Sequence, residues 1–408
     1  MIDMTEGREI YMKKKLNVFT VSGLMTGPLL GSGIIFLPPL AYDKLGEHAI
    51  LAWVIMMALN GLFAYVFAKM TVEVSDNRGI SAIVGDTFGT RFGTLAANYL
   101  TAAVFFGPVA VALTASEFIL PDAGNTPAWG IAGAVLLICA IIVISGVSFM
   151  GKFMLVLSSI TAGLLLAGSG ATLFQLPALT IPHSIPQPGV FGQTLLLIFW
   201  AIVGWEILGN YVEDVENPKR TIMRAMLISL TAVVMVYLLT AFAYQNSPGH
   251  FMPDLLIPVT GRFSGAVFSG LAACLCICTI TTFTGGVVRQ TTVRFKNAGL
   301  PEIFHHKWMT AVMLLIVDYI VLFLHAAGIL SFQNIIGIAN AMFIGNAVLD
   351  LACGFKLLNH ILIRIGIGIL LFLLLLIFLF SSGYALVLFL LITCASLIIT
   401  VPIRNPVF

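Results

Sequence analysis

The sequence predicts an all-α membrane protein with twelve transmembrane helices. Three observations carry that prediction. Apolar residues (AVILMFWYC) make up 59% of the 408 positions, while Asp, Glu, Lys and Arg make up 9%. An ordinary soluble domain is about one quarter charged, so water cannot be the solvent over most of this surface. The mean hydropathy of +1.05 agrees. The charges are also unevenly placed: they punctuate apolar runs that reach or exceed the 20 or so residues needed to cross a bilayer.

The elements follow in order, all read from the same sequence. The first predicted span, 17–42, fills the charge-free run Leu16–Tyr42. The second covers 49–74 and the third 93–119. Spans at 128–150 and 153–176 meet at Gly151-Lys152. The sixth, 190–212, follows the turn His183-Ser-Ile-Pro-Gln-Pro-Gly189. The seventh covers 221–244 and the eighth 264–296. His325-Ala-Ala-Gly328 divides 308–326 from 331–353, and Ser381-Ser-Gly383 divides 360–380 from 384–402. Strands are not expected, because the runs are too long and lipid forbids open sheet edges.

Sidedness is testable by counting basic residues. With the N-terminus inside, all 20 Lys and Arg except Lys44 and Arg262 fall on the cytoplasmic side. A miscounted span would have scrambled this alternation, which is the bias the positive-inside rule expects. Both termini are therefore expected in the cytoplasm. Residues 1–16 form a short polar, basic segment with no sign of a cleavable leader. The net charge of +2 is too dispersed for a nucleic-acid face, so the expected partners are the lipid bilayer and a small-molecule substrate. Oligomeric state is left open.

The composition narrows the function. The longest segments between spans, Arg78–Leu95 and Gln245–Arg262, are too short for a folded soluble domain. No phosphate-binding loop of the G-x-x-x-x-G-K-[ST] type occurs, which argues against an ATP-driven pump. All six cysteines lie in predicted spans, and Cys274, Cys276 and Cys278 read as small apolar filler rather than metal ligands. No metal or organic cofactor is expected. A membrane-embedded enzyme would need convergent His, Asp, Glu or Cys, and none is visible. A channel is the remaining rival to a secondary transporter.

The first span discriminates. It reads Thr26-Gly-Pro-Leu-Leu-Gly-Ser-Gly-Ile-Ile-Phe-Leu-Pro-Pro39, with Gly31-Ser32-Gly33 at mid-depth. Proline removes backbone donors and glycine weakens helix. Within a bilayer such a break is tolerated only where the freed groups face protein or a water-filled cavity. N–H groups at the start of the outer half-helix would attract a carboxylate, and the opposing carbonyls an ammonium or cation. A close helix-packing motif would also account for the glycines.

The sixth span reads Phe199-Trp-Ala-Ile-Val-Gly-Trp-Glu-Ile-Leu-Gly-Asn210. Glu206 lies well inside it, and an intramembrane carboxylate is by default a functional candidate; a buried cap on the broken backbone is the rival role. Two broken spans, each the first of five, match inverted-repeat transporters. The repeats would be 17–176 and 190–353, with 360–402 appended.

Several segments together resemble the APC (amino acid–polyamine–organocation) superfamily over nearly the whole chain. They are Gly31-Ser-Gly33, Trp200 through Glu206, Glu213-Asp-Val-Glu-Asn-Pro-Lys-Arg220, Arg289-Gln290 with Gly299-Leu-Pro301, and Asp76-Asn-Arg-Gly79 with Thr87-Phe-Gly89. Within it the chain looks most like bacterial exporters of methionine and branched-chain amino acids. The resemblance implies a LeuT-like 5+5 inverted repeat, alternating access, and the inner membrane of a bacterium. It implies that Gly31, Ser32 and Gly33 bind the substrate carboxylate. The carbonyls of Val203 and Gly204, with Leu30, would take the amino group. Trp200 and Trp205 would wall or gate the site, and Glu206 would anchor the sixth span and carry a coupling proton.

Around the pocket the third span offers Phe105, Phe106 and Gly107-Pro108, the eighth Thr281, Thr282 and Thr284, and the tenth Asn340, Met342 and Phe343; of these Phe105, Thr284 and Asn340 are taken to set selectivity. Apart from Glu206 these positions carry no charge, and an unpaired buried charge is expensive. A neutral, apolar amino acid is therefore favoured over a polyamine or arginine. Family members coupled to protons often carry a lysine on the fifth span; here Lys152 stands too early, and the matching depth holds Ser158 and Thr161. With Thr281, Thr282 and first-span carbonyls these hydroxyls could form a sodium site, or serve as interhelical hydrogen-bonding glue. The coupling species is H+ or Na+, with H+ favoured. Asp318, in the ninth span, is read as structural, and Asp350 as lying near the inner surface.

Overall fold

A computed structural model describes residues 16–72, 79–119 and 128–398. Asp76, Asn77 and Arg78 of the quoted motif, the N-terminal segment before Leu16 and the end of the last predicted span lie outside the described residues. Among the described residues the chain is helical, with one isolated backbone bridge between Leu16 and Val215. Ten stretches are long and apolar enough to cross a membrane. One of them, Val18–Thr71, holds 54 residues and contains three helices, and Gly383–Ile398 is a shorter apolar helix.

The first predicted span is two helices, α1 (Val18–Leu30) and α2 (Gly33–Leu45), interrupted at Gly31-Ser32. Asn17 caps α1: its side chain accepts from the Thr20 N–H at 3.0 Å, as expected of an N-cap asparagine. α3 (Ala49–Thr71) follows, then α4 (Ile80–Phe88), a short helix inside a segment the sequence reading leaves as loop. Its two ends are set by glycines, Gly79 at φ 76° and Gly89 at φ 102°, a region closed to most side chains.

α5 (Thr90–Ile119), α6 (Ala128–Ser145) and α7 (Val147–Gln175) complete the first half. The α6–α7 boundary falls at Gly146 (φ 115°) rather than at Lys152. Backbone geometry, not the charge, ends that helix.

The sixth predicted span is again interrupted. α8 (Pro188–Ile198) passes into a 3-10 turn at Phe199–Ile202, an extended Val203, Gly204 at φ 139°, and a 3-10 helix at Glu206–Asp214. α9 (Pro218–Asn246) starts with Pro218 in its first turn, where a missing N–H costs nothing. Asn217 precedes it at φ 45°, a conformation Asn tolerates better than most residues. The Asn-Pro pair of the quoted motif is thus a tight turn into α9. α10 (Ile257–Thr260), α11 (Ser264–Asn297), α12 (Lys307–Ala326), α13 (Phe332–Leu357), α14 (Ile361–Phe378) and α15 (Gly383–Ile398) complete the chain.

The interrupted segments occupy the centre. α1 packs against α7, α9 and α11, and α5 packs against α11 and α13. Large apolar side chains on α6, α12 and α14, such as Ile138, Ile141, Ile316, Phe323, Phe372 and Leu375, face outward, as lipid-contacting surfaces require.

Candidate substrate site between the two helix breaks

At the first break, Gly31 has φ 36° and still donates its N–H to the Gly27 carbonyl at 2.8 Å. A Cβ at Gly31 would collide with the Thr279 hydroxyl and the Pro28 carbonyl, and one at Gly33 would stand 2.5 Å from the Tyr237 hydroxyl and 3.4 Å from the Trp200 ring. Both glycines are thus fixed by approach, and Gly31 by conformation as well. The first N–H groups of α2 have no intrahelical acceptor, as at any helix start. The carbonyls freed at the end of α1 are partly satisfied: the Tyr237 hydroxyl on α9 lies 3.0 Å from Leu29 O and 3.2 Å from Leu30 O. Tyr237 is held there by stacking on Trp53 of α3. Ser32 is fully buried, and its Oγ has no hydrogen-bond partner.

At the second break, the Glu206 carboxylate turns back on its own backbone and accepts the Gly204 N–H at 3.0 Å. Glu206 is 4% exposed. It therefore caps the broken backbone, and this position also puts it at the centre of the molecule. A Cβ at Gly204 would stand 3.3 Å from Leu29 and 3.7 Å from Phe283, so the two breaks nearly touch.

Between them lies a closed cavity lined by Pro28 of α1, Trp200 and Val203 of the second break, and apolar residues of α5, α11 and α13. On α5 these are Val104, Gly107, Pro108 and Val111, on α11 Thr279, Ile280 and Phe283, and on α13 Phe343. Trp200 meets Phe343 edge-on at 6.0 Å, and Phe343 meets Phe283 at 5.3 Å. These three aromatics form one wall. The space is narrow, about 10 Å³ for a water-sized sphere, so a side chain the size of leucine requires that wall to move.

The structure brings Gly31, Gly33, Trp200, Val203 and Gly204 to this cavity or its immediate backbone, with the Leu30 carbonyl and Ser32 just behind. It does not bring Trp205, Phe105, Thr284 or Asn340 to the cavity wall. Trp205 is 1% exposed, and its indole N–H donates 2.7 Å to Asn60 of α3, a packing role. Phe105 sits one residue off the α5 face formed by Val104, Gly107, Pro108 and Val111, whose spacing is that of a single helical stripe. Thr284 is likewise one residue past Phe283, and Asn340 nearly a turn before Phe343; both are buried with an unpartnered oxygen. Of the pocket residues expected from sequence, Gly107, Pro108 and Phe343 line the cavity, whereas Val104, Val111, Thr279, Ile280 and Phe283 are found only in the structure.

The hydroxyls named for a cation site have different neighbours. Ser158 donates to the Leu155 carbonyl of its own helix at 3.4 Å, and Thr282 to the Met154 sulfur at 3.3 Å. Thr281 lies beside Cys139 of α6. Thr161 is buried with no partner for its hydroxyl. Met154 sits against Gly27 and Thr282, in the gap between α1 and α11. Asp318 is buried on α12 with Oδ1 unpartnered. Asp350 is 1% exposed, buried by the helices packed on α13.

At the end that carries Leu16, the two interrupted segments are tied together. Leu16 donates to Asp214 O at 2.7 Å and accepts from Glu216 N at 2.9 Å. Arg289 of α11 reaches Asp214 Oδ2 at 3.4 Å and lies over the Tyr211 ring.

Two broken helices facing each other across an apolar cavity define a membrane carrier for a small molecule. A family model described as amino acid permease matches residues 16–249. The chain belongs to that family, within the APC superfamily. It is 21% identical to the uncharacterized amino acid permease YecA of Bacillus subtilis over 293 residues, 69% of each protein. It is 27% identical to the L-methionine/branched-chain amino acid exporter YjeH of Escherichia coli over 236 residues, 55% of each. It is 24% identical to the large neutral amino acids transporter small subunit 2 of Oryctolagus cuniculus over 378 residues, 84% of this chain and 70% of that protein.

Proposed function

We propose that the protein is a secondary active transporter of neutral, apolar L-amino acids, working by alternating access and coupled to protons, in the direction of efflux. The observation that carries this reading is the cavity pinched between the breaks at Gly31–Gly33 and Val203–Gly204, whose wall is apolar except for Thr279 and backbone. Backbone N–H groups at the start of α2 suit a carboxylate. The carbonyls of Leu30, Val203 and Gly204 suit an ammonium group. The apolar wall suits an aliphatic or thioether side chain, and a cationic side chain would find no carboxylate among the lining residues. Two of the relatives named above are, by name, a methionine/branched-chain exporter and a large neutral amino acid transporter.

The remaining architecture is proposed on the same footing. Val18–Thr71 holds two crossings, one broken, and Gly383–Ile398 makes a further one, giving twelve. The halves α1–α7 and α8–α13 are read as inverted five-span repeats, α14 and α15 as appended. The termini are placed in the cytoplasm and the protein in a bacterial inner membrane.

Protons are favoured over sodium because Ser158 and Thr282 are turned to the Leu155 carbonyl and the Met154 sulfur. A thioether, Met154, fills the gap between α1 and α11, and a hard cation takes oxygen ligands. The test is flux of radiolabelled leucine or methionine in proteoliposomes under imposed proton and sodium gradients. Flux driven by the pH gradient supports the proposal. No flux under any gradient overturns it, and flux driven by sodium alone overturns the coupling.

A further inference from the structure

About two turns along α13 from the cavity residue Phe343, the interior holds a carboxylate that the substrate site does not use. Asp350 on α13 is fully buried, and its Oδ1 has no hydrogen-bond partner. It lies within electrostatic range of Glu206. One turn earlier, Asn346 donates to Ala96 O of α5 at 3.3 Å, and its own Oδ1 is unpartnered. Asn60 of α3, bonded to Trp205 next to Glu206, keeps an unpartnered Nδ2. These are buried polar atoms with spare hydrogen-bonding capacity, clustered around two carboxyl groups.

Among the described residues, the neighbouring cations are committed elsewhere. Arg289 is bonded to Asp214 and to Gly285 O, Arg294 to Asn98, and Lys356 to Thr87 O. Lys69 on α3 lies over Tyr65. Asp86 of α4 and Cys353 and Lys356 of α13 are the titratable groups at the outer edge of the Asp350 face. With no cation between them among the described residues, two ionised carboxylates in this interior would be costly, and one bound proton removes that cost. Such a pair titrates as a unit.

We propose that Asp350 and Glu206 form a two-carboxyl proton site, with Asp350 the member that exchanges protons with the end of the molecule bearing Thr87 and Lys356. Cys353, one turn on, touches the Thr87 hydroxyl at 3.2 Å and marks the way out. A proton arriving on Asp350 passes to Glu206. There it neutralises the acceptor that caps the Gly204 N–H, and so loosens the second break beside the cavity. The proton leaves by the reverse steps or to the other side once the cavity opens there.

The proposal rests on the proton-coupled reading, and the tests separate the two. In the purified full-length protein without substrate, an infrared pH titration follows the protonated carboxyl band. The wild type should titrate in two steps, and Asp350→Asn and Glu206→Gln each in one. A titration in Asp350→Asn identical to wild type overturns the proposal. In proteoliposomes, Asp350→Asn should keep leucine exchange within about twofold of wild type while losing about tenfold in pH-driven accumulation, and Asp350→Glu should restore it. Retained pH-driven accumulation in Asp350→Asn also overturns it. Should Asp350→Asn not fold, Asp350→Glu is titrated instead, and an unshifted titration counts against the pair. A wild type indifferent to the pH gradient defeats the coupled-transport reading, and the infrared titration alone then decides whether the pair holds a proton.

Discussion

Glu206 serves two purposes at one position. Its carboxylate ties the Gly204 N–H, and its depth puts it beside the cavity. Glu206→Gln keeps an acceptor for that N–H, so the protein should fold with a melting temperature near wild type while substrate turnover falls about tenfold or more, the equivalent of about 1.4 kcal/mol. Wild-type flux in this variant would remove Glu206 from the mechanism. Gly33→Leu makes a different prediction. The added side chain must displace the Tyr237 hydroxyl and the Trp200 ring, so leucine-induced thermal stabilisation should vanish. A preserved thermal shift would detach the first break from the site. The two tryptophans should separate cleanly. Trp200→Ala enlarges the cavity and should change the ranking of substrates, whereas Trp205→Phe loses the bond to Asn60 and should cost about 1–3 kcal/mol of stability without changing that ranking.

At the scale of elements, the breaks are stable because other helices complete them. Tyr237 from α9 supplies the hydroxyl that meets the Leu29 and Leu30 carbonyls. Removing it in Tyr237→Phe leaves buried acceptors unpaired, a penalty of about 1–3 kcal/mol. Thermal unfolding in detergent would register this, and an unchanged melting temperature would mean those carbonyls are satisfied otherwise. The bridge between Leu16 and the Asp214–Glu216 segment, backed by Arg289, closes one end of the molecule. Arg289→Ala should therefore favour opening at that end. Cysteines placed beside the cavity, such as at Ile280, should then react faster with a membrane-impermeant thiol reagent added from the face that bears Leu16. An unchanged labelling rate would show that the bridge holds without the ion pair.

At the scale of the whole molecule, the lipid-facing helices wrap a centre in which both broken segments, α5 and α11 meet. The narrow cavity has too little room for leucine while Trp200, Phe283 and Phe343 stay where they are, so under the proposed function leucine binding should require that wall to move. Across the twenty amino acids, methionine, leucine, isoleucine and valine should raise the melting temperature, while lysine and glutamate should not, because an apolar wall cannot pay for an unpaired charge. Stabilisation by lysine equal to that by leucine would contradict the assigned lining. The relation is a mass-action one, so the shift should grow with ligand concentration.

Charge scarcity and run length determined the membrane class and the positions of the apolar stretches, because both depend on residue type alone. The two breaks were legible for the same reason: Gly31-Ser-Gly33 and Gly204 beside Glu206 are local chemistry. Gly107 and Pro108 were legible beside Phe105, and periodicity extends them to Val104 and Val111, since a helix turns about 100° per residue. Only the tertiary structure decided which of two adjacent residues faces the cavity, that Trp205 packs on Asn60 while Trp200 lines the wall, and that Met154 fills the gap among the candidate hydroxyls. It also decided that Asp350 is buried by the helices packed on α13. Burial and pairing depend on which helices meet, and that is set by packing between segments far apart in the chain, not by the order of residues along any one of them.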